Sequence, residues 1–165
     1  MRFILIVIFP IFNFHMTTTK LNLIALADDD ADDRDIFMEI CDSLDNDIRV
    51  LFFENGLQLL DYLVKKNTTL PSTLFLDINM PVKDGFDCLK EIRDERKFND
   101  IRIIIYSTSI TTSDVNKSRR LGADRFLQKP SDFYKLVQVV KDILDIDWEN
   151  QYNSSSQSNF LVLPT

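Results

Sequence analysis

Short apolar runs recur about every 25 residues along this chain, and each is followed by a segment whose apolar residues are spaced as on one face of a helix. The runs predict strands at 21–27, 48–53, 73–77, 101–106 and 124–128. The helical patterns lie at 33–44, 57–64, 85–96, 111–121 and 132–145, and Ser131 is the predicted cap of the last helix. This alternation is what βαβ units require. It predicts an α/β fold, a (βα)5 three-layer sandwich with a parallel five-stranded sheet.

The composition limits what such a domain can do. With 165 residues, 45% of them apolar, the chain can form one domain with a substantial core and short tails. Its net charge of −7 argues against nucleic acid as a partner, because phosphate contacts need a basic face. Cys41 and Cys88 lack the spacing of a metal site and are interpreted as reduced thiols of a cytoplasmic protein. The single histidine, His15, argues against a multi-histidine zinc site.

The two ends of the chain depart from this pattern. Residues 1–20 are predicted to be an N-terminal extension outside the fold, because the apolar run 3–9 is too short to span a bilayer and no cleavage site follows it. Met16 could be a second start, so residues 1–15 are interpreted as an upstream extension, with a peripheral membrane anchor as the alternative. The folded domain is assigned to 21–147. A flexible C-terminal tail is assigned to 148–165, although residues 160–163 could dock locally.

Polar residues stand at the ends of four predicted strands. Asp28 and Asp29 follow the first strand, Asp77 ends the third, Ser107 follows the fourth, and Lys129 follows the fifth. Ligands of an open parallel sheet bind beyond the carboxyl ends of its strands. We therefore expect these side chains to meet at one edge of the sheet. Asp77 could instead cap the turn that follows it, as Asp often does.

This set of side chains suits phosphoryl chemistry. Crowded carboxylates raise one another's pKa unless a cation shares them, and a hard divalent ion, most naturally Mg²⁺, resolves the repulsion. Lys129 and Ser107 then suit the phosphoryl oxygens, and Asp77 can attack phosphorus to form an acyl phosphate. The chain has only three glycines and no glycine-rich phosphate loop, so the phosphoryl donor is not expected to be a bound nucleotide.

At these residues the sequence resembles the receiver domain of bacterial two-component response regulators. The resemblance is carried by Asp28-Asp29, Asp77-Ile-Asn-Met-Pro with Asp84-Gly85, Ser107 after an apolar strand, and Gly122-Ala-Asp with Lys129-Pro130. It covers about residues 21–146. It implies a flavodoxin-like fold with strand order 2-1-3-4-5, the order of the chemotaxis member of this family.

The resemblance also implies roles for the residues that carry the chemistry. Asp77 is the phosphoacceptor. Asp28, Asp29, Asp77 and the backbone carbonyl of Asn79 form the Mg²⁺ site. Lys129 pairs with the phosphoryl group.

Further positions are implied to switch or support the site. Ser107 is the hydroxyl residue that turns toward the phosphoryl group, and Phe126 is the switch aromatic that moves with it. Pro130 stands where the family often has a cis bond. Asp30 and Asp33 are interpreted as residues of the helix start, favoured there by the macrodipole, rather than as metal ligands.

The expected function is that of a stand-alone receiver in a phosphorelay. It would be a phosphoacceptor signalling domain rather than an enzyme, although it assists its own phosphorylation and dephosphorylation. A sensor histidine kinase or a histidine phosphotransfer protein is expected to phosphorylate it, and an unknown downstream protein to read it, with a weak dimer left open.

The expected output face is residues 111–128. Its helix has only Val115 and Leu121 as clearly apolar residues, and switching segments are drawn from regions of low stability. No DNA-binding helices follow Asp147, so the output is expected to be a protein contact or a phosphorelay step.

Two other functions fit parts of the pattern. A haloacid-dehalogenase-type phosphatase also uses an aspartate at a strand end, but it needs a second aspartate two residues later as general acid, where this chain has Asn79. An unphosphorylated binding module that only retains the fold is the other alternative, and the presence of all the key side chains argues against it.

Overall fold

A computed structural model describes residues 22–44, 48–148 and 160–163 of the chain. Strands and helices alternate through this part. They are β1 (Asn22–Ala27), α1 (Ala31–Leu44), β2 (Ile48–Phe53), α2 (Gly56–Val64), β3 (Thr73–Leu76), α3 (Gly85–Asp94), a short 3-10 helix (Arg96–Phe98), β4 (Arg102–Ser107), α4 (Thr112–Arg120), β5 (Arg125–Gln128), α5 (Phe133–Leu144) and β6 (Leu161–Val162).

The strands form one parallel sheet in the order β2-β1-β3-β4-β5-β6. The predicted α/β class, the helices between successive strands and the order 2-1-3-4-5 of the first five strands are confirmed. Parallel strands need crossover connections, and the helices supply them. All four residues of β3 are buried, as expected of a central strand covered on both faces.

Alternation along the strands divides the core into two apolar layers. One face of the sheet packs against residues of α2 and α3 and carries Ala25, Leu74, Leu76, Ile103, Ile105 and Phe126. The other face packs against α1 and α5 and carries Ile24, Leu26, Phe75, Ile104 and Leu127. In helix α4 only Ser118 is fully buried. Val115 and Leu121, the residue after the helix, pack partly against the core, so the expected weak apolar stripe is present.

The sheet has a sixth strand, and the prediction of five was wrong in this respect. Residues 160–163 belong to the segment assigned to the C-terminal tail, and the local docking left open for them is what the structure shows. Phe160 is 8% exposed and packs into the core layer that contains Phe126. A short polar-flanked run gave too weak a pattern to predict a strand, but burial of one large aromatic side chain and pairing with an open sheet edge suffice to hold it.

Several element ends differ from the predicted ones because of capping. Helix α1 begins at Ala31, two residues earlier than predicted, and the side chain of Asp30 accepts hydrogen bonds from the amides of Asp32 and Asp33. The cap of α5 is Asp132, whose carboxylate accepts a 2.9 Å hydrogen bond from the Lys135 amide, and not Ser131 as predicted. Carboxylates at these positions satisfy amides that have no partner within the helix.

The predicted extension at residues 1–20 lies outside the described residues. In the part of the chain that the structure describes, no helix combines the length and apolar character needed to cross a bilayer. Cys41 and Cys88 are free thiols, as predicted, and burial raises the pKa of each to about 12, so both are chemically inert packing residues.

Candidate functional site

The carboxylates predicted at the strand ends lie together at the carboxyl edge of the sheet. One oxygen from each of Asp28, Asp29 and Asp77 lies within 4.8 Å of the others. Asp28 and Asp77 are buried, and their amides donate hydrogen bonds of 2.9 Å to the carbonyls of Phe53 and Ala27. The sheet ladder thus fixes the backbone that carries both groups.

The loop after β3 is held against Asp77 by a close backbone approach. The amide of Gly85 donates a 2.9 Å hydrogen bond to the carbonyl of Ile78. A Cβ atom at Gly85 would lie 2.1 Å from the carbonyl oxygen of Asp77, so only glycine fits here without displacing the loop. Asp84 then caps α3 by accepting a 2.8 Å hydrogen bond from the amide of Asp87.

The two carboxylate oxygens of Asp77 face different groups. Its Oδ2 accepts a 3.1 Å hydrogen bond from the amide of Asn79, which is the turn-capping role that the sequence left open. Its Oδ1 lies 3.7 Å from Nζ of Lys129. One oxygen therefore stabilises the turn, and the other faces the cationic side of the site.

Lys129 joins the site from the end of β5. Its amide donates a 2.8 Å hydrogen bond to the carbonyl of Ser107, and its side chain is only 8% exposed. The ammonium group contacts Oδ2 of Asp28 at 2.6 Å and Oδ2 of Asp33 at 2.7 Å. Asp33 lies in the first turn of α1, as predicted, and is not one of the converging carboxylates, but its contact with Lys129 was not predicted. Asp30 caps the helix.

Burial and opposite charge compete in this cluster. Burial raises the pKa of Asp28 and that of Asp77, although the Lys129 ammonium group opposes the shift in both cases. Burial alone would lower the pKa of Lys129, but hydrogen bonds to Asp28 and Asp33 raise it, so the group remains charged. A single ammonium leaves the carboxylate oxygens of Asp28, Asp29 and Asp77 under-neutralised, and oxygen donors of this kind suit a hard divalent cation.

Ser107 carries a buried hydroxyl group that lacks a hydrogen-bond partner within the described part of the chain. Leaving a buried polar group unpaired costs free energy, so this position is suited to a ligand that supplies the missing partner. By strand alternation Ser107 lies on the same face of the sheet as Ile105, which is the direct neighbour of Phe126 in β5. Ser107 and Phe126 are both fully buried.

Two further predicted positions are found around this edge. Asp29 and Asn79 line a common cavity of about 570 Å³ beside the loop that follows β3. The bond between Lys129 and Pro130, at the position where the family often has a cis bond, is trans.

The sequence analysis missed the contact between Asp33 and Lys129. The two residues are 96 positions apart, and the pairing depends on how α1 is rotated against the sheet. One signal was available: Asp33 stands in the first turn of a helix that begins at the edge where the strands end. A carboxylate there can reach side chains of the neighbouring loops.

Comparison with known proteins places this geometry in a family. The family model described as the response regulator receiver domain matches residues 24–141. The chain is similar to the response regulator Rcp1 of Synechocystis, with 27% identity over 126 residues that cover 72% of this chain and 86% of the relative. It is also similar to a chemotaxis protein CheY homolog of Campylobacter jejuni, with 30% identity over 95 residues, covering 58% of this chain and 72% of that one.

Receiver domains also occur within larger proteins. The chain spans 15% of the length of the sensor histidine kinase CheAY of Helicobacter pylori, at 28% identity over 125 residues and 76% of this chain. Such a match shows the shared domain and not the activity of the larger protein.

Solved structures agree with the fold. The phosphorylated cyanobacterial phytochrome response regulator RcpA superposes with a TM-score of 0.69 at 28% identity, over 74% of this chain and 90% of that one. The Mn²⁺-bound form of the response regulator Rcp1 gives a TM-score of 0.68 at 26% identity, over 74% and 91% of the two chains. Because the family model matches well over half of the sequence, the chain belongs to the response regulator receiver domain family.

Proposed function

We propose that this chain accepts a phosphoryl group on Asp77 from the phosphohistidine of a sensor histidine kinase or of a histidine phosphotransfer protein. The observation that carries the proposal is the convergence of three carboxylates at one sheet edge, beside the ammonium of Lys129. The unpartnered hydroxyl of Ser107 at the same end of the neighbouring strand adds a donor for a phosphoryl oxygen.

The transfer needs no nucleotide. A carboxylate oxygen of Asp77 attacks phosphorus, the bond between phosphorus and the donor imidazole nitrogen breaks, and that nitrogen keeps the electron pair and takes up a proton. The product is an acyl phosphate. Water later attacks phosphorus and returns Asp77 and inorganic phosphate, so the domain assists both its own phosphorylation and its dephosphorylation.

Asp28, Asp29, Asp77 and the backbone carbonyl of Asn79 would hold Mg²⁺, which when bound neutralises charge on the phosphoryl oxygens. Lys129 is placed to donate a charge-assisted hydrogen bond to a phosphoryl oxygen, and the hydroxyl of Ser107 would donate another. Both donors neutralise charge that spreads in a loose transition state.

Ser107 and Phe126 form the proposed switch. Movement of Ser107 toward the phosphoryl group would open space on the face of the sheet where Phe126 packs. The proposed output face is α4 and β5, because α4 has a single fully buried residue and is therefore the least firmly packed of the helices that cover the sheet. We propose that it contacts a protein in the cytoplasm, through which the phosphorelay signal passes.

The test is labelling by acetyl phosphate in the presence of Mg²⁺. The wild-type chain should gain one phosphoryl group that alkali and hydroxylamine release, as expected of an acyl phosphate, and Asp77→Asn should abolish the labelling. Asp87→Asn removes an exposed carboxylate from α3 and serves as the matched control that should label normally. Labelling of the Asp77→Asn variant at the wild-type level would refute the proposal.

The metal is tested separately by unfolding. Mg²⁺ at ten times its dissociation constant should raise the free energy of unfolding by about 1.4 kcal/mol, because it binds only the folded state. In Asp29→Asn the same stabilisation should need an Mg²⁺ concentration at least tenfold higher. Asp35→Asn, which removes an exposed carboxylate of α1, should respond to Mg²⁺ like the wild type. Equal responses of the two variants would remove Asp29 from the metal site.

A further inference from the structure

We propose that Asp33 is a positioning residue that competes with the phosphoryl group for the ammonium of Lys129. This inference rests on the proposed phosphorylation of Asp77 and concerns the regulation of that site. Asp33 would hold Lys129 on the α1 side in the unphosphorylated chain, and phosphorylation would have to draw the ammonium away.

The contacts of the ammonium group support this arrangement. Nζ of Lys129 lies 2.6 Å from Asp28 and 2.7 Å from Asp33, but 3.7 Å from Asp77, which is too long for a hydrogen bond. The ring of Tyr106 lies 4.9 Å from the same atom and limits its movement on another side. Two of the three donors of the ammonium are therefore directed at carboxylates other than the proposed phosphoacceptor.

The two carboxylates that contact the Lys129 ammonium differ in their other interactions. Asp28 is also a member of the proposed metal site, and its other oxygen accepts a 3.1 Å hydrogen bond from the amide of Asp30. Binding of a cation at Asp28 would weaken its hold on Lys129. Asp33 is not one of the converging carboxylates. It would therefore remain as the main competitor of the phosphoryl group.

The strength of this competition depends on exposure. The side chain of Lys129 is 8% exposed and that of Asp33 is 31% exposed, so solvent screens the pair only in part. Removing the charge of Asp33 should favour contact of the Lys129 ammonium with the phosphoryl group, and so the phosphorylated state, by roughly three- to tenfold. An increase in phosphorylation is specific to this proposal, because loss of a residue that merely supported the site would reduce phosphorylation.

The experiment compares Asp33→Asn with Asp32→Asn. Both variants remove one carboxylate from the first turn of α1, and Asp32 is exposed. Acetyl phosphate is the phosphoryl donor, so that a change in the affinity for a protein donor has no influence. Beryllofluoride with Mg²⁺ gives the affinity for a phosphoryl mimic. Asp33→Asn should bind beryllofluoride roughly three- to tenfold more tightly than Asp32→Asn and should label to a correspondingly higher occupancy at limiting donor.

A second pair of variants tests whether Asp33 acts through Lys129. In a Lys129→Gln background the ammonium is absent, and the further change Asp33→Asn should leave the remaining beryllofluoride affinity unchanged. An effect of the same size in both backgrounds would assign it to the charge of Asp33 alone and overturn the proposal.

The outcomes separate this inference from the proposed function. If the wild-type chain neither labels nor binds beryllofluoride, the proposed function fails. If the wild type labels on Asp77 but Asp33→Asn behaves like Asp32→Asn, or binds beryllofluoride more weakly, the proposed function stands and the role of Asp33 is refuted.

Discussion

The amide of Phe126 donates a 2.8 Å hydrogen bond to the carbonyl of Phe160. This bond joins the proposed switch position in β5 to the segment that forms β6. The ring of Phe160 is buried in the same apolar layer as Phe126, and the guanidinium carbon of Arg119 lies 4.6 Å from the centre of that ring. The C-terminal segment is thus in contact with both elements of the proposed output face.

Phe160→Ala should therefore destabilise the domain. The variant loses a buried aromatic side chain, and we expect the free energy of unfolding to fall by about 1.5–3 kcal/mol. Urea denaturation measures this change, and Leu163→Ala, which truncates a side chain that is 52% exposed, is the control. Equal stability of the two variants would show that β6 contributes nothing to the fold.

Asp77→Asn should stabilise the metal-free chain at neutral pH. Burial holds the pKa of Asp77 above its ordinary value of 3.8, so the folded state binds the proton more readily than the unfolded state. The contribution of Asp77 to stability therefore falls as pH rises from the unfolded pKa through the folded pKa. Asp77→Asn lacks this buried charge, so its free energy of unfolding at pH 7 should exceed that of the wild type. A difference of one between the folded and unfolded pKa values of Asp77 corresponds to about 1.4 kcal/mol.

The pH dependence supplies the control for this prediction. Denaturation by urea in the absence of divalent cations should show that the advantage of Asp77→Asn disappears below about pH 4, where both states protonate the carboxyl group. Asp35→Asn removes an exposed charge and should show no such trend. A variant at Asp77 that is less stable than wild type at pH 7 would contradict the assigned cause of the pKa shift.

Asp124 should be important for stability but not for phosphorylation. Its Oδ2 accepts 2.8 Å hydrogen bonds from Arg93 and from the amide of Ile103, at the edge of the sheet opposite the candidate site. Asp124→Ala removes these contacts and the 3.4 Å contact of Arg102 with Oδ1 from a side chain that is 10% exposed, and should lower the free energy of unfolding by about 2–4 kcal/mol.

Acetyl phosphate labelling of folded Asp124→Ala should nevertheless reach the wild-type level. Asp100→Ala, at an exposed position near the same edge, should change neither property. Loss of labelling without loss of stability in the Asp124 variant would mean that the contacts of Asp124 affect phosphorylation at the candidate site.

Val82 is held in an unfavourable backbone conformation. Its φ is 67°, the amide of Lys83 donates to the carbonyl of Pro81 across it, and the side chain is 80% exposed. A β-branched residue is strained at positive φ, whereas asparagine tolerates it. Val82→Asn should therefore raise the free energy of unfolding by about 1 kcal/mol, since no buried contact is lost.

Asn67 provides the reverse experiment. Its φ is 61°, and asparagine is a residue type that tolerates this conformation. Asn67→Val should destabilise the chain by about 1 kcal/mol in the same urea assay. If both variants were neutral, strain at these two positions would not contribute to stability.

The sequence by itself determined the layered fold and the location of the site. The apolar runs are long enough to identify buried parallel strands, and the residues that follow such strands meet at one edge whatever the details of packing. Asp28, Asp29, Asp77 and Lys129 could be assigned to one cluster for this reason. Helix ends were predicted less well, as for α1 and α5, because the residue that caps a helix is chosen among neighbouring polar residues by local backbone geometry.

Only the tertiary structure decided which groups pair within the cluster and what covers the sheet edge. The contact of Lys129 with Asp33, rather than with Asp77, depends on the rotation of α1 and on a distance of about one ångström, which no spacing in the sequence encodes. The sixth strand depends on its pairing with β5 and on the apolar layer in which Phe160 is buried. Both features arise from contacts between segments far apart in the chain, and these contacts exist only after the sheet has formed.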